Sequence, residues 1–213
     1  MTDLSALRAL RLRTPRLELR LGDRSDLEAL AHVAEDGIHP PDEMPFAVPW
    51  TDGIGTPGFV EGFVAFHEEA LAGWSPESWA LNLLAFRAGS PVGTQELLAE
   101  RFATERVVAT GSWLGAAHQN HGLGTEMRAA VLELAFGPLG AVAALSGWVE
   151  SGAGQSARVS ARLGYREVGT ELASPRGEPF VRHDLRLDRD DWRCPIEVEL
   201  AGVEPCLPLF GAR

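Results

Sequence analysis

The sequence predicts a mixed α/β fold, and three observations support this prediction. Leucines at Leu17, Leu19 and Leu21 alternate with charged residues, as in a half-buried strand. An apolar run over residues 107–114 has strand character, and the run after it, from Leu123, has apolar residues at helical spacing. Taken along the whole chain, the order β, α, α, β, β, β, α, β, α, β, β gives about seven strands and about four helices.

The first half of the chain supplies two helices and two paired strands. The stretch Ser25-Asp26-Leu27-Glu28 has the form of a capping box and predicts a helix that ends near Glu35. Residues 39–55 are rich in Pro, Gly and Asp and are expected to form an irregular loop. Thr56-Pro57 then predicts the start of the second helix, because proline is favoured at the first helical position. Two strands follow, around a predicted turn at 87–90, over residues 79–86 and 91–99.

The second half alternates strands and helices. A buried strand is predicted over 141–149, followed by a short helix over 155–163 that Gly164 stops. Two final strands are predicted over residues 181–187 and 196–200.

Composition narrows the class of partner. The chain has 213 residues and a formal net charge of −11, which disfavours nucleic acid and anionic membrane surfaces as partners. No apolar run has the length that spans a bilayer, and the N-terminal stretch lacks the core of a signal peptide. The two cysteines, Cys194 and Cys206, do not suggest a disulfide framework, so a cytoplasmic location is expected.

The most informative motif is Gln119-Asn120-His121-Gly122-Leu123-Gly124, which has the form Gln-x-x-Gly-x-Gly. It lies between the predicted strand at 107–114 and the predicted helix from Leu123. Glycines allow the backbone to approach a ligand closely, and the first N–H groups of a helix lack partners within that helix. Such a helix start binds anions, so the motif predicts a ligand that carries phosphate.

Two motifs together resemble the GCN5-related N-acetyltransferase (GNAT) superfamily, and most of all its ribosomal-protein alanine N-acetyltransferase branch. One is Gly111-Ser112-Trp113-Leu114 followed by the glycine motif, and the other is Ser156-Ala157-Arg158-Val159 with Leu163-Gly164-Tyr165. The resemblance covers about residues 14–187. A closer likeness, in residues 39–51, 124–131 and 208–211, is to an actinobacterial subgroup that includes a mycobacterial protein proposed to use succinyl-CoA.

The resemblance implies a mostly antiparallel sheet that is splayed between its fourth and fifth strands, with a short C-terminal β extension. It implies an acyltransferase domain over residues 1–187 and an extension over 188–213 packed on the same domain. It also implies transfer of an acetyl or succinyl group from acetyl-CoA or succinyl-CoA to an amine, without a metal. The expected coenzyme ligands are Trp113, Leu114, Gln119, Asn120, His121, Gly122, Leu123, Gly124 and Thr125.

The resemblance to the family leaves more than one candidate for the catalytic base. Members of the branch often place a glutamate base where this chain has Ala109, so we hypothesise that water relays the proton to Glu150 or to the loop acids Asp42 and Glu43. Ser156 is the candidate that hydrogen-bonds or protonates the leaving thiolate, whereas Tyr165 is expected in the core. The branch also favours asparagine at the position of Ala153.

Several alternatives stay open. Phe46 and Trp50 are expected to form the wall of the acceptor pocket. The acceptor is a small-molecule or peptide amine, and the C-terminal strands offer an edge for a homodimer or a higher homo-oligomer. His118 and His121 lack a third ligand for a metal. The competing interpretation is a catalytically impaired acyl-CoA sensor on the same fold, which the residues at Ala109 and Ala153 keep open.

Overall fold

A computed structural model of the chain describes residues 3–150 and 154–212. One mixed sheet of nine strands forms its centre, in the order β7-β8-β6-β5-β4-β3-β2-β1-β9. The strands are β1 Arg11–Arg13, β2 Glu18–Arg20, β3 Ser78–Arg87, β4 Ser90–Glu100, β5 Val107–Leu114, β6 Ala143–Val149, β7 Arg166–Ala173, β8 Phe180–Asp188 and β9 Glu199–Ala201. The helices are α1 Arg24–Glu35, α2 Phe59–Ala72, α3 Phe102–Glu105, α4 Leu123–Phe136 and α5 Gln155–Arg162.

Helices cover both faces of the sheet. The larger apolar cluster joins α4, which is buried along most of its length, to the strands and to the C-terminal segment. The smaller cluster joins Leu27 and Leu30 of α1 to Phe63 and Val64 of α2 and to Leu84 of β3. Within the described part of the chain, only β5 and β6 pair in parallel. The predicted mixed, mostly antiparallel α/β fold is therefore confirmed, with nine strands in the sheet.

Both helix starts that were predicted in the first half need correction. The capping box of α1 is formed by Asp23, whose side chain accepts from the Asp26 N–H, and not by Ser25 and Glu28. The second helix begins at Phe59 after Gly58, and Thr56 instead donates its hydroxyl to the Gly53 carbonyl at 2.6 Å. In both stretches several residues that are favoured at a helix N-terminus lie close together in the sequence. Contacts with the rest of the fold determine which of them precedes the first turn.

Two strands were missed and one was displaced. β1 is three residues long, and its partners β2 and β9 include residues from the far end of the chain. β7 exposes nearly all its side chains, so it lacks the alternation that marks a strand in sequence. The strand expected over 196–200 occupies Glu199–Ala201.

The C-terminal segment is tied to the rest of the protein by specific contacts. β9 pairs with β1, and the indole N–H groups of Trp74 and Trp79 donate to the carbonyls of Leu209 (2.8 Å) and Phe210 (3.2 Å). The Phe210 ring is fully buried against both tryptophans. A domain boundary at residue 187 stays a prediction. No helix in the described ranges is long and apolar enough to cross a membrane.

We expect Phe210→Ala to lower the free energy of unfolding by about 3–5 kcal/mol, because it leaves a cavity among packed rings. Urea denaturation followed by tryptophan fluorescence measures this change. The control is Leu172→Ala, whose side chain is 77% exposed on β7. Equal stability of the two variants would show that the C-terminal segment does not contribute to the core.

Candidate active site

The sheet opens between β5 and β6, which are the fourth and fifth strands of the predicted order because β1 was not predicted. The two strands are paired over only three residues each, and the last pair is Ala109 with Leu145. β5 nevertheless continues to Leu114 and β6 to Val149. Beyond the last pair the strands diverge and leave a cleft of about 290 Å³. We call this cleft the seam. Its lining includes Ser112, Trp113, Leu114, Arg128, Trp148 and Ser156.

The backbone of β5 presents a hydrogen-bond donor to the seam. The Gly115 N–H donates to the Val92 carbonyl on the β4 side at 3.0 Å. Because successive N–H groups of a strand point to opposite sides, the Leu114 N–H points toward the seam. The Leu114 carbonyl accepts from the Gln119 side chain at 2.8 Å. An extended ligand in the seam can therefore pair with β5 at the Leu114 N–H.

The glycine loop lies at the end of the seam. Gly122 caps α4 with a φ of +81°, a left-handed conformation that glycine adopts without strain. The N–H groups from Asn120 to Thr125 donate to no acceptor in the described part of the chain, whereas the Gln119 N–H donates to the Ala116 carbonyl at 3.2 Å. The free donors thus begin at Asn120, one residue later than the motif suggested.

Charged groups hold this loop and line its mouth. Glu126, which is buried, pairs with Arg16 (2.6 Å), and Arg16 also donates to the His121 carbonyl at 2.9 Å. A cavity of about 150 Å³ beside the loop is lined by Arg158 and Arg162 of α5. Two cations next to unpartnered N–H groups are an arrangement that can attract an anion, although the chain has a formal net charge of −11.

Arg128 is a buried cation in the seam. It is 2% exposed, and its guanidinium donates to hydroxyl groups rather than to a carboxylate. The acceptors are Ser160 (2.7 Å), Ser112 (3.0 Å), Ser146 (3.4 Å) and Ser156 (3.4 Å). Burial lowers the pKa of Arg128, and its Nε has no hydrogen-bond partner among the described residues. An uncompensated buried charge is costly, which suggests a functional reason for it.

A second cavity, of about 630 Å³, lies on the α2 side of β5 and shares four lining residues with the seam: Phe46, Gly111, Ser112 and Trp113. We call it the side pocket. Glu96 of β4 lies directly opposite Gly111 of β5 and lines the side pocket. A Cβ at Gly111 would lie 2.7 Å from the Glu96 carboxylate, so glycine leaves the space that this carboxylate needs. Burial raises the pKa of Glu96.

These features match a known family. A sequence model of the family described as "Acetyltransferase (GNAT) domain" matches residues 16–166. The chain belongs to the GNAT acetyltransferase family. The resemblance inferred from the two motifs is thereby confirmed at the level of the family.

Solved structures agree on the fold. A GNAT-family acetyltransferase from Bacillus anthracis is 17% identical, with 84% of this chain and 99% of that chain covered and a TM-score of 0.66. Mycobacterium smegmatis RimJ in complex with CoA-disulfide is 16% identical, with 95% of both chains covered and a TM-score of 0.70. RimL, a ribosomal L7/L12 alpha-N-protein acetyltransferase in complex with coenzyme A, is 15% identical, with 84% and 97% covered and a TM-score of 0.64.

Most of the residues expected to bind coenzyme lie together in this GNAT domain. Trp113 and Leu114 line the seam, while Asn120, Gly122, Gly124 and Thr125 line the cavity beside the loop. Gln119 lines both cavities, and its side chain bridges the carbonyls of Ile38 (2.6 Å) and Leu114 (2.8 Å). Leu123 is buried beneath the loop, and His121 is exposed.

The predicted catalytic candidates lie at different places. Ser156 lines the seam within reach of Arg128. Glu150 is more than half exposed, lines neither cavity, and contacts the His183 ring at 3.2 Å. Tyr165 is buried, as expected. Ala153 lies outside the described residues, and across the described ranges no group of three or more metal-ligating side chains is found.

The loop acids and aromatics lie around the cavities. Glu43 lines the seam and Asp42 is exposed. Phe46 and Trp50 line the side pocket, where the Trp50 ring is 5.5 Å from the Trp113 ring. Sequence reasoning missed Glu96, since its position opposite Gly111 depends on the pairing register of β4 and β5.

Proposed function

We propose that this protein is an N-acyltransferase that moves an acyl group from a coenzyme A thioester to a primary amine. The observation that carries the proposal is the seam, where β5 and β6 stop pairing after Ala109 while both strands continue. It can admit the pantetheine arm beside β5. The unpartnered amides from Asn120 to Thr125, with Arg158 and Arg162, suit the phosphates of the same molecule.

In the reaction, the substrate enters as an ammonium ion, and the Glu96 carboxylate takes one of its protons to leave the neutral amine. The amine nitrogen forms a bond to the thioester carbon, and the Leu114 N–H stabilises the oxyanion that develops. The carbon–sulfur bond then breaks, its electron pair stays on the sulfur as a thiolate, and the nitrogen loses its extra proton to solvent to leave the neutral amide. Ser156 donates a hydrogen bond to this thiolate, and Arg128 stabilises its negative charge from behind that hydroxyl. We propose Glu96 rather than Glu150 as the base because Glu96 alone of the two lines a cavity that joins the seam.

Acetyl-CoA and succinyl-CoA are both proposed donors. The experiment that tests the function measures thiol release from each donor with a panel of primary amines, together with the heat of coenzyme A binding by titration calorimetry. Binding with amine-dependent thiol release supports the enzyme. Tight binding without release from any donor–acceptor pair would favour the impaired sensor, for which Ala109 in place of glutamate is the supporting observation. No binding would contradict both.

We expect the double variant Arg158→Gln, Arg162→Gln to weaken coenzyme A binding about tenfold or more, because hydrogen bonds to charged groups contribute about 1.5–3 kcal/mol each. The loss should shrink at high salt, where the wild-type advantage is screened. Calorimetric titration at two salt concentrations measures both effects. Arg166→Gln is the matched control, because that arginine lies on β7 and lines neither the seam nor the loop cavity. A double variant with wild-type affinity would exclude these cations from the site.

Two further proposals concern assembly and location. The edges of the sheet are β7 and β9, and we propose that an exposed edge supports a homodimer, which light scattering in solution tests. We propose a cytoplasmic location, which is consistent with Cys194 and Cys206 as free thiols.

A further inference from the structure

We propose that the amine acceptor is a primary amine on a flat, apolar body of one or two rings, with no second charge. This inference rests on the proposed function and names the acceptor that the side pocket would select. The pocket has a volume of about 630 Å³, within the usual range for small-molecule sites. Because it shares Gly111, Ser112 and Trp113 with the seam, an amine held there can reach a thioester in the seam.

Aromatic rings form the wall of the side pocket. They contact each other in a chain, with centroids 5.4 Å apart for Phe46 and Trp50, 5.5 Å for Trp50 and Trp113, and 6.2 Å for Trp113 and Phe63. Phe59 and Phe66 of α2 extend the same wall, and Phe66 is 57% exposed at its rim. Such a wall favours a flat apolar body by stacking and by burial of apolar surface.

The charged groups that line the side pocket suit a ligand with a single positive charge. Of the described residues that line it, Glu96 is the only acid and none is Lys or Arg. His67 lines the pocket as a neutral ring at pH 7, because burial lowers its pKa to about 4. The Glu96 carboxylate can receive one ammonium group or its proton. A second ammonium group, as in a polyamine, would enter the pocket without a partner, and this is unfavourable.

The hydrogen-bonding groups of the side pocket are few. Asn82 lines it with a buried side-chain N–H group that has no partner among the described residues, and Thr56 and Thr94 add hydroxyls. A peptide carries an N–H and a carbonyl at each residue, and most of these would be buried without partners against aromatic rings. The pocket therefore disfavours a peptide and favours a body with few hydrogen-bonding groups.

The test compares initial rates of thiol release, at saturating acetyl-CoA, for 2-phenylethylamine, ethylamine, spermidine and trialanine. We expect kcat/KM for 2-phenylethylamine to exceed that for ethylamine about 30-fold or more, since the two amines differ by one buried ring. The values of kcat/KM for spermidine and trialanine should also be lower than that for 2-phenylethylamine. Phe66→Ala should reduce the preference for the ring, whereas Leu172→Ala, which also removes an exposed apolar side chain but on β7, should leave the preference unchanged.

The outcomes separate this inference from the proposed function. If ethylamine and 2-phenylethylamine react equally well, or if spermidine or trialanine is the best acceptor, the inference is overturned while the acyltransferase stands. If coenzyme A binds but no amine in this panel or a wider one causes release of thiol from the acyl-CoA, the proposed function is overturned, and this inference with it.

Discussion

Glu96→Gln is expected to lower kcat/KM for amine acylation about 10²–10⁴-fold, the range in which general bases contribute. Glutamine keeps the shape of the side chain and cannot accept the proton. Only the ionised carboxylate is a base, so the rate of the wild-type enzyme should rise with pH through the pKa of Glu96. Burial raises that pKa above 4.5, and the acidic limb of the pH profile should therefore have its midpoint above this value. In the variant this limb should disappear.

Glu150→Gln is the matched control for this prediction. Its carboxylate is more than half exposed beside His183 and lines neither cavity, so its removal should leave the rate and the pH profile nearly unchanged. The reverse pattern, a large loss with Glu150→Gln and none with Glu96→Gln, would return the base to Glu150. Measurements of kcat/KM from pH 5 to pH 9 for the three proteins distinguish these outcomes.

Thermal unfolding at pH 8 tests whether a folding defect causes the lower kcat/KM of Glu96→Gln. A glutamate whose pKa is raised in the folded state binds protons more tightly there than in the unfolded chain. Its contribution to stability is therefore lost as pH rises through the raised pKa. At pH 8 the wild-type protein has already lost this contribution to stability, so the Glu96→Gln variant should unfold at an equal or higher temperature. A lower unfolding temperature would point to a structural role.

Local sequence signals account for the proposed coenzyme side of the site. The strand Val107–Leu114 and the start of α4 at Leu123 follow from apolar periodicity and from the glycine motif between them. These features depend on residues a few positions apart, so they can be recognised in the sequence. The same applies to Trp113 and Leu114, which lie in the motif and line the seam.

The features that the sequence did not predict, including the proposed acceptor side, depend on contacts distant in sequence. Glu96 becomes a candidate base only when the pairing of β4 with β5 places it opposite Gly111, 15 residues later in the chain. The short β1 gains its partner β9 from the other end of the protein. Arg128 occurs in a helix that also carries Glu126 and Glu133, where a charged residue is expected at the surface, yet the structure buries it.

Arg128→Met is expected to lower kcat about 10²-fold or more while the free energy of unfolding falls little or rises. The guanidinium is fully buried and its acceptors among the described residues are all serine hydroxyls, so none of these residues supplies an anion to offset the cost of its desolvation. We expect that the thiolate which forms during the reaction provides this anion. The interaction is then stronger in the transition state than in the ground state, and its loss lowers kcat more than it weakens substrate binding.

A pair of comparisons distinguishes this role from a structural one. Ser156→Ala removes the hydroxyl between Arg128 and the proposed thiolate, and it should lower kcat less than Arg128→Met because the buried charge remains. For both variants the loss should be smaller with a thioester whose thiol has a lower pKa, because that leaving group needs less stabilisation. A loss that is the same for every leaving group, or a large fall in stability on urea denaturation, would assign Arg128 to the packing of α4 against β5 and α5.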